Sequence, residues 1–548
     1  MEVPVSRQRR SWSHVIVGGG SAGCVLAARL SEDPSASVLL LEAGGEDYSP
    51  FIHLPVGLLK LSKKYNWRYE GEPDQSRGGA VDQWGGGRVL GGSSSINGEM
   101  WTRGSPGDYD RWARLGATGW DYRSVLPYFR KSETYTGPGN EYRGCYGPQR
   151  VSPTAVVHPL THAFVAAGEQ LGLPYNPDYN GRRANGVSYV QLSQRRGLRY
   201  STARGYLAPV RRRRNLRVRT HAYATGVIVE RGVAKAVEYR HRGQIHREHA
   251  DKSVILSLGA IATPKLLMLS GIGPGADLSS LGIKIAADIP GVGQNLQEHL
   301  YTSLMYESTI PTLNSQMGPA AVAKAAWQLV RKGRGPATAC IGNAFVFGRF
   351  DGSDEPYVDY EIAFNPAALE SGGGDGAEDH QHDVNKMRPM RQPAMMALPS
   401  VSHPVARGSV TLRSANPDDG PRVRHELLGR DDDVAALRQA ARIVRDLIRQ
   451  PAMAPYAGRE IVPGDSVQTD DEWAEFFRVG AFRGEHPSGT CAMGTDAASV
   501  VDPELRVHGV ENLRVVDASV MPTLIAGHTN APTIMIAERA ADLIRNQR

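Results

Sequence analysis

Cysteine is scarce in this sequence. The 548 residues include four cysteines, at positions 24, 145, 340 and 491, and no two of them form a Cys-x-x-Cys pair. This spacing excludes a dithiol redox motif and the dense disulfide framework of small secreted domains. Widely spaced thiols are typical of a reducing compartment, and we therefore expect a cytoplasmic protein.

Apolar runs long enough to cross a bilayer are also absent, so we expect no membrane span. Arg7–Arg10 and the apolar residues that follow look superficially like a signal peptide. Those apolar residues are, however, the first strand of a glycine-rich unit, and their removal would destroy that unit.

Aromatic side chains are missing from the main basic run, Arg211–Arg214, while basic and acidic residues alternate elsewhere to a net charge of +6. A nucleic-acid surface would interleave aromatics with its charges, so we expect a solvated loop and no nucleic-acid partner. The composition, 41% hydrophobic and 22% charged, is that of a globular protein. The length predicts two domains.

The most informative pattern begins at His14. It consists of an apolar run, His14–Val17, the turn Gly18-Gly19-Gly20-Ser21-Ala22-Gly23, a helical segment Cys24–Leu30, and an apolar run Val38–Leu41 that ends on Glu42. Strand, G-x-G-x-x-G turn, helix, strand and acid in this order are typical of a dinucleotide-binding βαβ unit.

Each part of this unit has a physical role. Gly18 permits the tight turn, Gly20 lets the backbone approach a pyrophosphate, and Gly23 allows the helix to pack closely on the strand. The helix N-terminus offers N–H groups to the phosphates. Glu42 would accept hydrogen bonds from the adenosine ribose and repel a 2′-phosphate, which disfavours NADP. FAD and NAD both remain open at this point.

A second glycine-dense stretch runs from Trp84 to Asn97. So many small residues suit a backbone that lies flat against a large planar or phosphate-bearing ligand. The alternative is a flexible linker, but Arg88, Val89, Leu90 and Ile96 would be unusual anchors in a linker.

Apolar periodicity predicts the remaining elements. We expect strands at 216–219, 225–230, 254–258 and 513–516, and helices at about 122–132, 265–269, 431–449, 473–477 and from 531 onward. Asn530 is a good helix N-cap, and Pro532 suits a first turn. Alternating runs such as Tyr357–Phe364 predict an antiparallel sheet in the middle region, 301–391.

A glycine-rich acidic loop, residues 370–383, interrupts this middle region. Asp379, His380, His382 and Asp383 could suggest metal ligands. In so polar a loop we expect no metal site, and we interpret the segment as a surface loop near the mouth of the active site.

Four ordered motifs, spread over nearly the whole chain, resemble those of the glucose–methanol–choline (GMC) family of FAD-dependent oxidoreductases. Gly87–Asn97, with Trp101, Gly104 and Asp110, fits the first family signature, and Gly259–Gly273 fits the second. His486-Pro487-Ser488-Gly489-Thr490 and Asn530-Ala531-Pro532-Thr533 fit the segments that carry the catalytic residues.

The resemblance favours FAD over NAD and implies an α/β fold. A Rossmann-like FAD-binding domain (1–158, 200–300 and 475–548) would be interleaved with an α+β substrate domain (159–199 and 301–474) built on an antiparallel sheet. The first strand and helix would hold the adenosine end of FAD, and the reaction would belong to residues near the other terminus of the chain.

The resemblance also implies the cofactor contacts. Asp517 would contact the ribityl or pyrophosphate region, and the helix that begins near Asn530 would point its positive N-terminus at the flavin N1–C2=O edge. The implied cofactor-binding residues are Gly18, Gly20, Ser21, Ala22, Gly23, Glu42, Ala43, Arg88, Leu90, Gly92, Ser93, Asn97, Gly98, Ala224, Asp517, Ala518, Asn530, Pro532 and Thr533.

The family reaction oxidises an alcohol to an aldehyde or ketone, with the hydroxyl proton going to a base and the hydride to flavin N5. His486 is implied as the base, because imidazole titrates near neutrality; the alternative is a packed histidine before a proline. Asn530 is implied to hydrogen-bond the substrate oxygen; the alternative is a plain helix N-cap.

Two positions depart from the family pattern. Relatives similar to choline dehydrogenase usually carry Asn where His528 stands, and we interpret His528 as a packing residue. Some relatives tether FAD through a histidine at the position of Ile96. Because isoleucine cannot form that bond, we expect FAD to be non-covalent.

The sequence thus predicts an FAD-dependent dehydrogenase or oxidase of a primary or secondary alcohol, with oxygen or another electron acceptor. Two alternatives stay open: a non-redox or photochemical member of the same fold, such as a lyase or decarboxylase, and a flavin-binding protein without turnover. The sequence leaves the oligomeric state and the substrate open.

Overall fold

A computed structural model describes residues 11–61, 63–316, 318–371 and 387–546 of the chain. The four candidate metal ligands of the acidic loop, Asp379, His380, His382 and Asp383, lie outside the described residues. Within the described residues, no group of three or more His, Cys, Asp or Glu side chains is arranged to hold a metal ion.

Two sheets organise the fold, together with helices and short β-ladders. The strands of the two sheets are β1 Ser11–Val17, β2 Val38–Leu41, β3 Gly186–Tyr189, β4 Leu216–Arg219, β5 Ala222–Glu230, β6 Val233–His241, β7 Gln244–Leu256, β8 Leu300–Tyr301, β9 Leu304–Ser308, β10 Ala344–Gly348, β11 Tyr360–Asn365, β12 Ala394–Val401, β13 Ala457–Val462, β14 Phe482–Arg483 and β15 Leu513–Val515.

The helices connect and cover these sheets. The α-helices are α1 Ser21–Leu30, α2 Pro50–His53, α3 Pro106–Arg114, α4 Tyr122–Ser132, α5 Pro159–Gln170, α6 Ala208–Val210, α7 Ala262–Leu269, α8 Gly275–Ser280, α9 Pro319–Lys332, α10 Asp431–Ile448, α11 Asp470–Gly480 and α12 Asn530–Arg545. Short 3-10 turns include Pro55–Lys60, Lys63–Tyr65, Gly92–Ser95, Pro336–Thr338 and Ala518–Val520.

Smaller strands form separate two- and three-stranded ladders. They are Tyr69–Glu70, Gln83–Trp84, Glu133–Tyr135, Gln149–Pro153, Gln191–Leu192, Gln194–Arg195, Leu198–Arg199, Ile272–Gly273, Ala287–Asp288, Leu369–Ser371, Met387–Pro389, Ser409–Thr411 and Arg422–Arg424. The hairpin Gln194–Arg199 is one of them.

The first sheet has a parallel core in the order β4-β2-β1-β7-β15. Its central strands are buried on both faces; in β2 all four residues, Val38–Leu41, are buried. Continuous apolar runs of this kind are what a parallel sheet covered on both faces requires. The antiparallel hairpin β5–β6 extends the sheet from the N-terminal half of β7.

The second sheet is antiparallel, in the order β13-β9-β12-β11-β10-β3, and β8 pairs with both β12 and β14. Helices α5, α10 and α11 cover one face of it, where they form a second apolar core. The other face lines the cavity described below. A parallel α/β sheet interleaved with an antiparallel sheet confirms the predicted fold class, while the domain boundaries stay a prediction.

Most predicted elements are present. The strand at 216–219 has the predicted bounds, and the helices at 122–132 and 431–448 agree within one residue. Strand β6 went unpredicted because its turn is formed by Arg231 and Gly232, both at positive φ. A hairpin turn of this kind is normally signalled by Asn-Gly or Asp-Gly, and arginine gives no such signal.

No helix in the described part of the chain combines the length and the apolar character that crossing a bilayer requires.

Candidate active site

The carboxyl ends of the parallel strands meet at one edge of the first sheet. Beyond these ends lie Gly18, Glu42, Ser257 and Asp517, and all four line one cavity of about 780 Å³. Ligands of open α/β sheets bind at this edge, because the loops that leave the strands converge there.

The glycine turn leaves no space for larger residues. Gly18 has φ +100°, and a Cβ at this position would lie 2.4 Å from the carbonyl oxygen of Ser257. A Cβ at Gly23 would lie 1.8 Å from the carbonyl oxygen of Gly18. Both glycines are therefore required by the close approach of α1 to β1 and β7.

The two glycine-rich stretches touch each other. The N–H of Gly91 donates to the carbonyl of Gly19 at 2.8 Å, and a Cβ at Gly92 would lie 2.6 Å from Cα of Gly20. The second stretch therefore forms a wall of the ligand cavity, and the flexible-linker alternative is excluded.

Glu42 ends β2 and is buried. Its carboxylate accepts the N–H groups of Gly19 and Gly44, each at 2.7 Å. Burial raises the pKa of Glu42 to about 7. The carboxylate is fixed at the cavity wall, and each oxygen keeps a lone pair for a ligand hydroxyl. Its contact with a ribose stays a prediction.

Asp517 follows β15, and its side chain is fully engaged by protein donors. One carboxylate oxygen accepts Gly259 N–H (2.9 Å) and the Thr263 hydroxyl (2.6 Å). The other accepts the N–H and the hydroxyl of Ser519. A carboxylate takes about four such bonds, so a cofactor contact by Asp517 would have to use its backbone.

The side chain of Asn530 does not cap helix α12, contrary to our expectation. Helix α12 begins at Asn530, the capping position is Thr529, and no side chain caps the helix. The Asn530 side chain instead accepts a hydrogen bond from the Ser21 hydroxyl at 2.8 Å. The N-cap prediction was therefore wrong. This bond brings the N-termini of α1 and α12 together at the cavity.

Most of the predicted cofactor residues line this cavity. They are Gly18, Gly20, Ser21, Ala22, Glu42, Ala43, Gly92, Ser93, Asn97, Gly98, Ala224, Asp517, Ala518, Asn530 and Thr533.

Four predicted cofactor residues lie outside the lining. Gly23 and Leu90 pack the turn, since Leu90 is buried and its Cδ2 would lie 3.0 Å from a Cβ at Gly19. Pro532 is buried in the first turn of α12. Arg88 is exposed, with its guanidinium 4.7 Å from the centre of the Trp67 ring.

A dinucleotide fits this cavity. The glycine cradle excludes side chains where a pyrophosphate would pass, and two helix N-termini, which carry partial positive charge, face the same space. Ile96 also lines the cavity. It has no atom that could bond covalently to a flavin, so non-covalent binding stays the prediction.

Three histidines form a chain at the cavity. Nδ1 of His299 lies 2.9 Å from Nδ1 of His486, and Nε2 of His486 lies 3.1 Å from Nδ1 of His528. His486 and His528 line the cavity, and their rings are nearly perpendicular at 82°. The structure thus joins His486 to His528, whereas the Asn530 side chain contacts Ser21. His528, which we interpreted as a packing residue, lies at hydrogen-bond distance from His486 in the cavity lining.

The hydrogen bonds fix the proton positions in this chain. Nε2 of His299 lies 3.0 Å from the carbonyl oxygen of Ser402, which can only accept, so Nε2 carries the proton. Burial lowers the pKa of His299 to about 4, so its Nδ1 is an acceptor at neutral pH. His486 must therefore donate through Nδ1, and its Nε2 has a free lone pair.

Burial also keeps His486 neutral. Desolvation, with smaller contributions from His528 and His299, holds the pKa of His486 well below 6.5. A buried neutral imidazole with its Nε2 lone pair on the cavity side is a proton acceptor.

Glu298 fixes the backbone on both sides of this pair. One of its carboxylate oxygens accepts the N–H of His486 at 2.7 Å and the N–H of His299 at 2.9 Å. Burial raises the pKa of Glu298 to about 8, although Arg483 lies 3.6 Å away and opposes the shift.

Glu361 ends the chain of polar contacts. Its Oε1 lies 3.3 Å from Nε2 of His528 and accepts the Tyr301 hydroxyl at 3.2 Å. Its Oε2 is buried and has no hydrogen-bond partner among the described residues.

Sequence reasoning did not find His299, Glu298, Glu361 or Tyr301. The adjacent Glu298-His299 pair just before β8 is the one local signal, since neighbouring charged and imidazole groups before a strand are candidates for a site. Glu361 lies on an apolar strand and gives no sequence signal that separates it from a core residue.

One face of the second sheet forms the wall beyond the histidines. Alternate residues of its strands point to this face, because the side-chain period of a strand is two. They are Tyr301, Met305, Glu361, Ala363, Met396 and Leu398, and Ser303, between β8 and β9, lies beside them. Met100, Ile341, Leu369, Met390, Ile461, Val462 and Phe482 complete a wall that is mostly apolar.

Comparison with known proteins agrees with this geometry. Residues 12–301 match the N-terminal model of the family described as GMC oxidoreductase, and residues 404–537 match its C-terminal model.

Curated relatives match over nearly the whole chain. The mitochondrial choline dehydrogenase of Homo sapiens is 41% identical over 99% of this chain and 91% of its own length. The oxygen-dependent choline dehydrogenase of Pseudomonas fluorescens (strain SBW25) is 41% identical over 98% of this chain and 94% of its own.

A solved structure shows the same fold. The pyridoxine 4-oxidase from Mesorbium loti superimposes with a TM-score of 0.87 at 30% identity, covering 98% of this chain and all of its own. From the family match, the dinucleotide cavity and the histidine pair beside it, the chain belongs to the GMC oxidoreductase family and is an FAD-dependent oxidoreductase of alcohols.

Proposed function

We propose that His486 is the base that deprotonates the alcohol, and that His528 holds the substrate oxygen beside it. The observation that carries this assignment is which ring nitrogens of the three histidines hold a proton. Because Nδ1 of His299 accepts a hydrogen bond from Nδ1–H of His486, the lone pair of His486 Nε2 is left at the cavity. An imidazole so oriented needs no rotation before it accepts a proton.

The contact between His486 and His528 suits a hydroxyl group. Because Nε2 of His486 carries no proton, the 3.1 Å contact with Nδ1 of His528 is a hydrogen bond in which His528 donates. A substrate hydroxyl placed between the two rings would accept this N–H from His528 and donate its own proton to Nε2 of His486.

The reaction balances at this site. The O–H proton of the alcohol goes to Nε2 of His486, and the C–H bond of the same carbinol gives up a hydride as the C=O bond forms. Bound FAD supplies the acceptor for that hydride. The imidazolium of His486 keeps its Nδ1–H on His299 throughout, so the ring does not turn during the step.

Asn530 serves the cofactor rather than the substrate in this proposal. Its amide is held by Ser21 at the N-terminus of α1. The positive ends of α1 and α12 then face the same part of the cavity, where they would stabilise negative charge on the bound cofactor.

The wall points to an alcohol with an uncharged apolar body. Four methionines and several aliphatic residues line the space beyond the histidines: Met100, Met305, Met390, Met396, Ile341, Leu369 and Leu398. Methionine side chains adapt to flexible apolar groups. A quaternary ammonium group would find Tyr301 and Phe482 as the aromatic side chains of this wall, which is less than an aromatic cage.

Choline is the second candidate substrate, because two of the similar relatives carry that name and because Glu361 has an unpartnered buried oxygen. An anaerobic panel of primary alcohols distinguishes an apolar alcohol from choline as the substrate, with loss of flavin absorbance as the readout. We expect straight-chain and benzylic alcohols to exceed choline in kcat/KM by about a hundredfold. The reverse order would favour choline, and no bleaching by any alcohol would reject both.

The electron acceptor, oxygen or another oxidant, and the cytoplasmic location stay predictions. The relatives include both an oxygen-dependent and a mitochondrial choline dehydrogenase. Steady-state turnover scored by oxygen uptake against dye reduction tests the acceptor.

A further inference from the structure

Helix α9 exposes the side that a surface helix normally hides. None of its described side chains is buried, and Val322, Trp327 and Val330 are 49%, 54% and 82% exposed. At about 100° per residue, these three residues together with Ala323 and Ala326 occupy a continuous sector of about 140°. A surface helix usually turns such an apolar sector toward the core, so this one lacks a partner within the described protein.

A second exposed apolar segment lies beside this helix. The turn Pro336–Thr338, which follows α9, packs against Pro55–Lys60. Val56 lies in Pro55–Lys60 and is 48% exposed, and Phe51, which lies just before this segment, is 42% exposed. We call Phe51, Val56, Val322, Trp327 and Val330 the apolar face.

The hairpin Gln194–Arg199 holds the two segments together. Arg199 donates from Nε to the carbonyl of Ile52 at 2.8 Å. A Cβ at Gly197 would lie 2.4 Å from Thr338 and 2.8 Å from the carbonyl oxygen of Gly333, which ends α9. Both segments that carry the apolar face therefore contact one hairpin.

Positive charge surrounds the apolar face. The exposed basic residues of these segments, none of which makes an ion pair within the described part of the chain, are Lys60, Lys63, Arg195, Arg196, Lys324, Arg331, Lys332 and Arg334.

Acidic residues are absent from all three segments. The chain has 57 acidic residues, yet none lies between Asp47 and Glu70, between Asp178 and Glu230, or between Glu307 and Asp351. The three sequence segments that meet at the apolar face are thus exclusively basic. The charge of this face is complementary to an anionic surface.

We propose that the apolar face docks on the surface of a lipid bilayer that contains anionic headgroups. Trp327 and the valines would enter the boundary between headgroups and acyl chains, and the surrounding lysines and arginines would contact the lipid phosphates. Tryptophan and basic residues are the side chains that favour this boundary. A second copy of the chain fits less well, because the basic residues of both copies would then face each other.

Docking would also place the cavity near the bilayer. Leu58, Leu61 and Tyr65, from the segment that carries Val56, line the cavity and are partly exposed. The side of the cavity formed by these residues would then lie close to the lipid, where apolar alcohols dissolve.

Vesicle flotation of the purified holoenzyme tests this proposal. We expect binding to phosphatidylcholine vesicles that contain about one third phosphatidylglycerol, weak binding to pure phosphatidylcholine, and release at about 0.5 M NaCl, where charges are screened. Trp327→Glu combined with Val330→Glu should weaken binding at least about tenfold. Ile245→Glu is the matched control, since Ile245 is 66% exposed on β7 of the first sheet and belongs to none of the three segments, and it should bind like the wild type.

A second variant keeps the proposal testable if the acidic substitutions disturb folding. Arg331→Ser with Lys332→Ser leaves the apolar face intact and should weaken binding to the anionic vesicles alone. Flavin content and turnover of a water-soluble alcohol report folding in every variant.

Three results would overturn the proposal. They are no binding of the wild type to anionic vesicles, equal binding of the wild type and the Trp327→Glu/Val330→Glu variant, and a lipid-free dimer in light scattering that these two substitutions dissociate. The last result would assign the apolar face to contact between copies.

Discussion

Nδ1 of His299 lies 2.9 Å from Nδ1 of His486 and holds that ring in a single tautomer. The tautomer is settled by a third group, the carbonyl of Ser402, which leaves His299 no proton on Nδ1. A residue 187 positions away in the sequence therefore decides which nitrogen of the proposed base is free.

The pH dependence of turnover follows from the pKa of His486. Because burial holds this pKa well below 6.5, the ring is neutral at pH 7 and above. We expect kcat/KM to be constant from about pH 7 upward and to fall in acid as His486 becomes protonated. A kcat/KM profile over this range checks the expectation, and a rate that rises only above pH 7 would contradict it.

Replacing His299 tests the tautomer separately. His299→Ala removes the acceptor of the Nδ1 proton, so part of the His486 population would carry its proton on Nε2. We expect kcat to fall by about tenfold to a hundredfold, with flavin content unchanged. An unchanged kcat would show that His299 does not orient the base.

Replacing His528 and replacing Asn530 should have different effects on turnover and on FAD binding. His528→Ala should lower kcat/KM by about a hundredfold and keep FAD bound, because one contact to the substrate oxygen is lost. Asn530→Ala removes one hydrogen bond to Ser21. It should weaken FAD binding by roughly fivefold and leave the turnover of the loaded enzyme nearly unchanged. Titration of the apoprotein with FAD, beside kinetics at saturating FAD, separates the two outcomes. A large kcat loss in Asn530→Ala with tight FAD would restore Asn530 as a substrate contact.

The FAD end of the site could be predicted from the sequence, because its glycines and Glu42 lie within one continuous βαβ unit. The histidine chain could not. His299 and Glu361 belong to β-strands of the second sheet or their approaches, and only the tertiary fold brings them to His486.

His528 and Asn530 illustrate the same limit at shorter range. They are two residues apart on the turn before α12, and their spacing alone does not tell which side chain points to His486. In the structure Nδ1 of His528 lies 3.1 Å from Nε2 of His486, whereas Oδ1 of Asn530 accepts the Ser21 hydroxyl.

Gly92 should be essential for FAD binding. Its φ of +53° and the 2.6 Å approach of a Cβ to Gly20 mean that Gly92→Ala must push the two glycine stretches apart. We expect purified Gly92→Ala to lack most of its FAD. Gly226→Ala is the matched control, since a Cβ there meets nothing within 4 Å.

Non-covalent binding predicts that denaturing the wild-type protein releases all of its flavin. After ultrafiltration the flavin should be in the filtrate, and flavin that stays with the chain would contradict non-covalent binding.

Acid should destabilise the fold through buried histidines. Burial lowers the pKa of His14, His299 and His425 to about 4. Between about pH 6.5 and 4 the unfolded chain binds these protons and the folded chain does not. Stability is therefore fully present above pH 6.5 and falls as pH drops, by up to about 1.4 kcal/mol per pH unit for each group.

Urea unfolding at pH 7 and pH 5 measures this loss. The ring nitrogens of His425 have no hydrogen-bond partner in the described structure. His425→Phe should therefore lose less stability between the two pH values than the wild type. An identical loss would show that His425 does not titrate in this range.

The most direct test of the assigned base is single-turnover reduction of the His486→Ala holoenzyme. The wild type and the variant are mixed anaerobically with a saturating primary alcohol, and flavin bleaching is followed by absorbance. We predict that the variant keeps its FAD and is reduced about a thousandfold more slowly. Reduction at the wild-type rate would contradict His486 as the base.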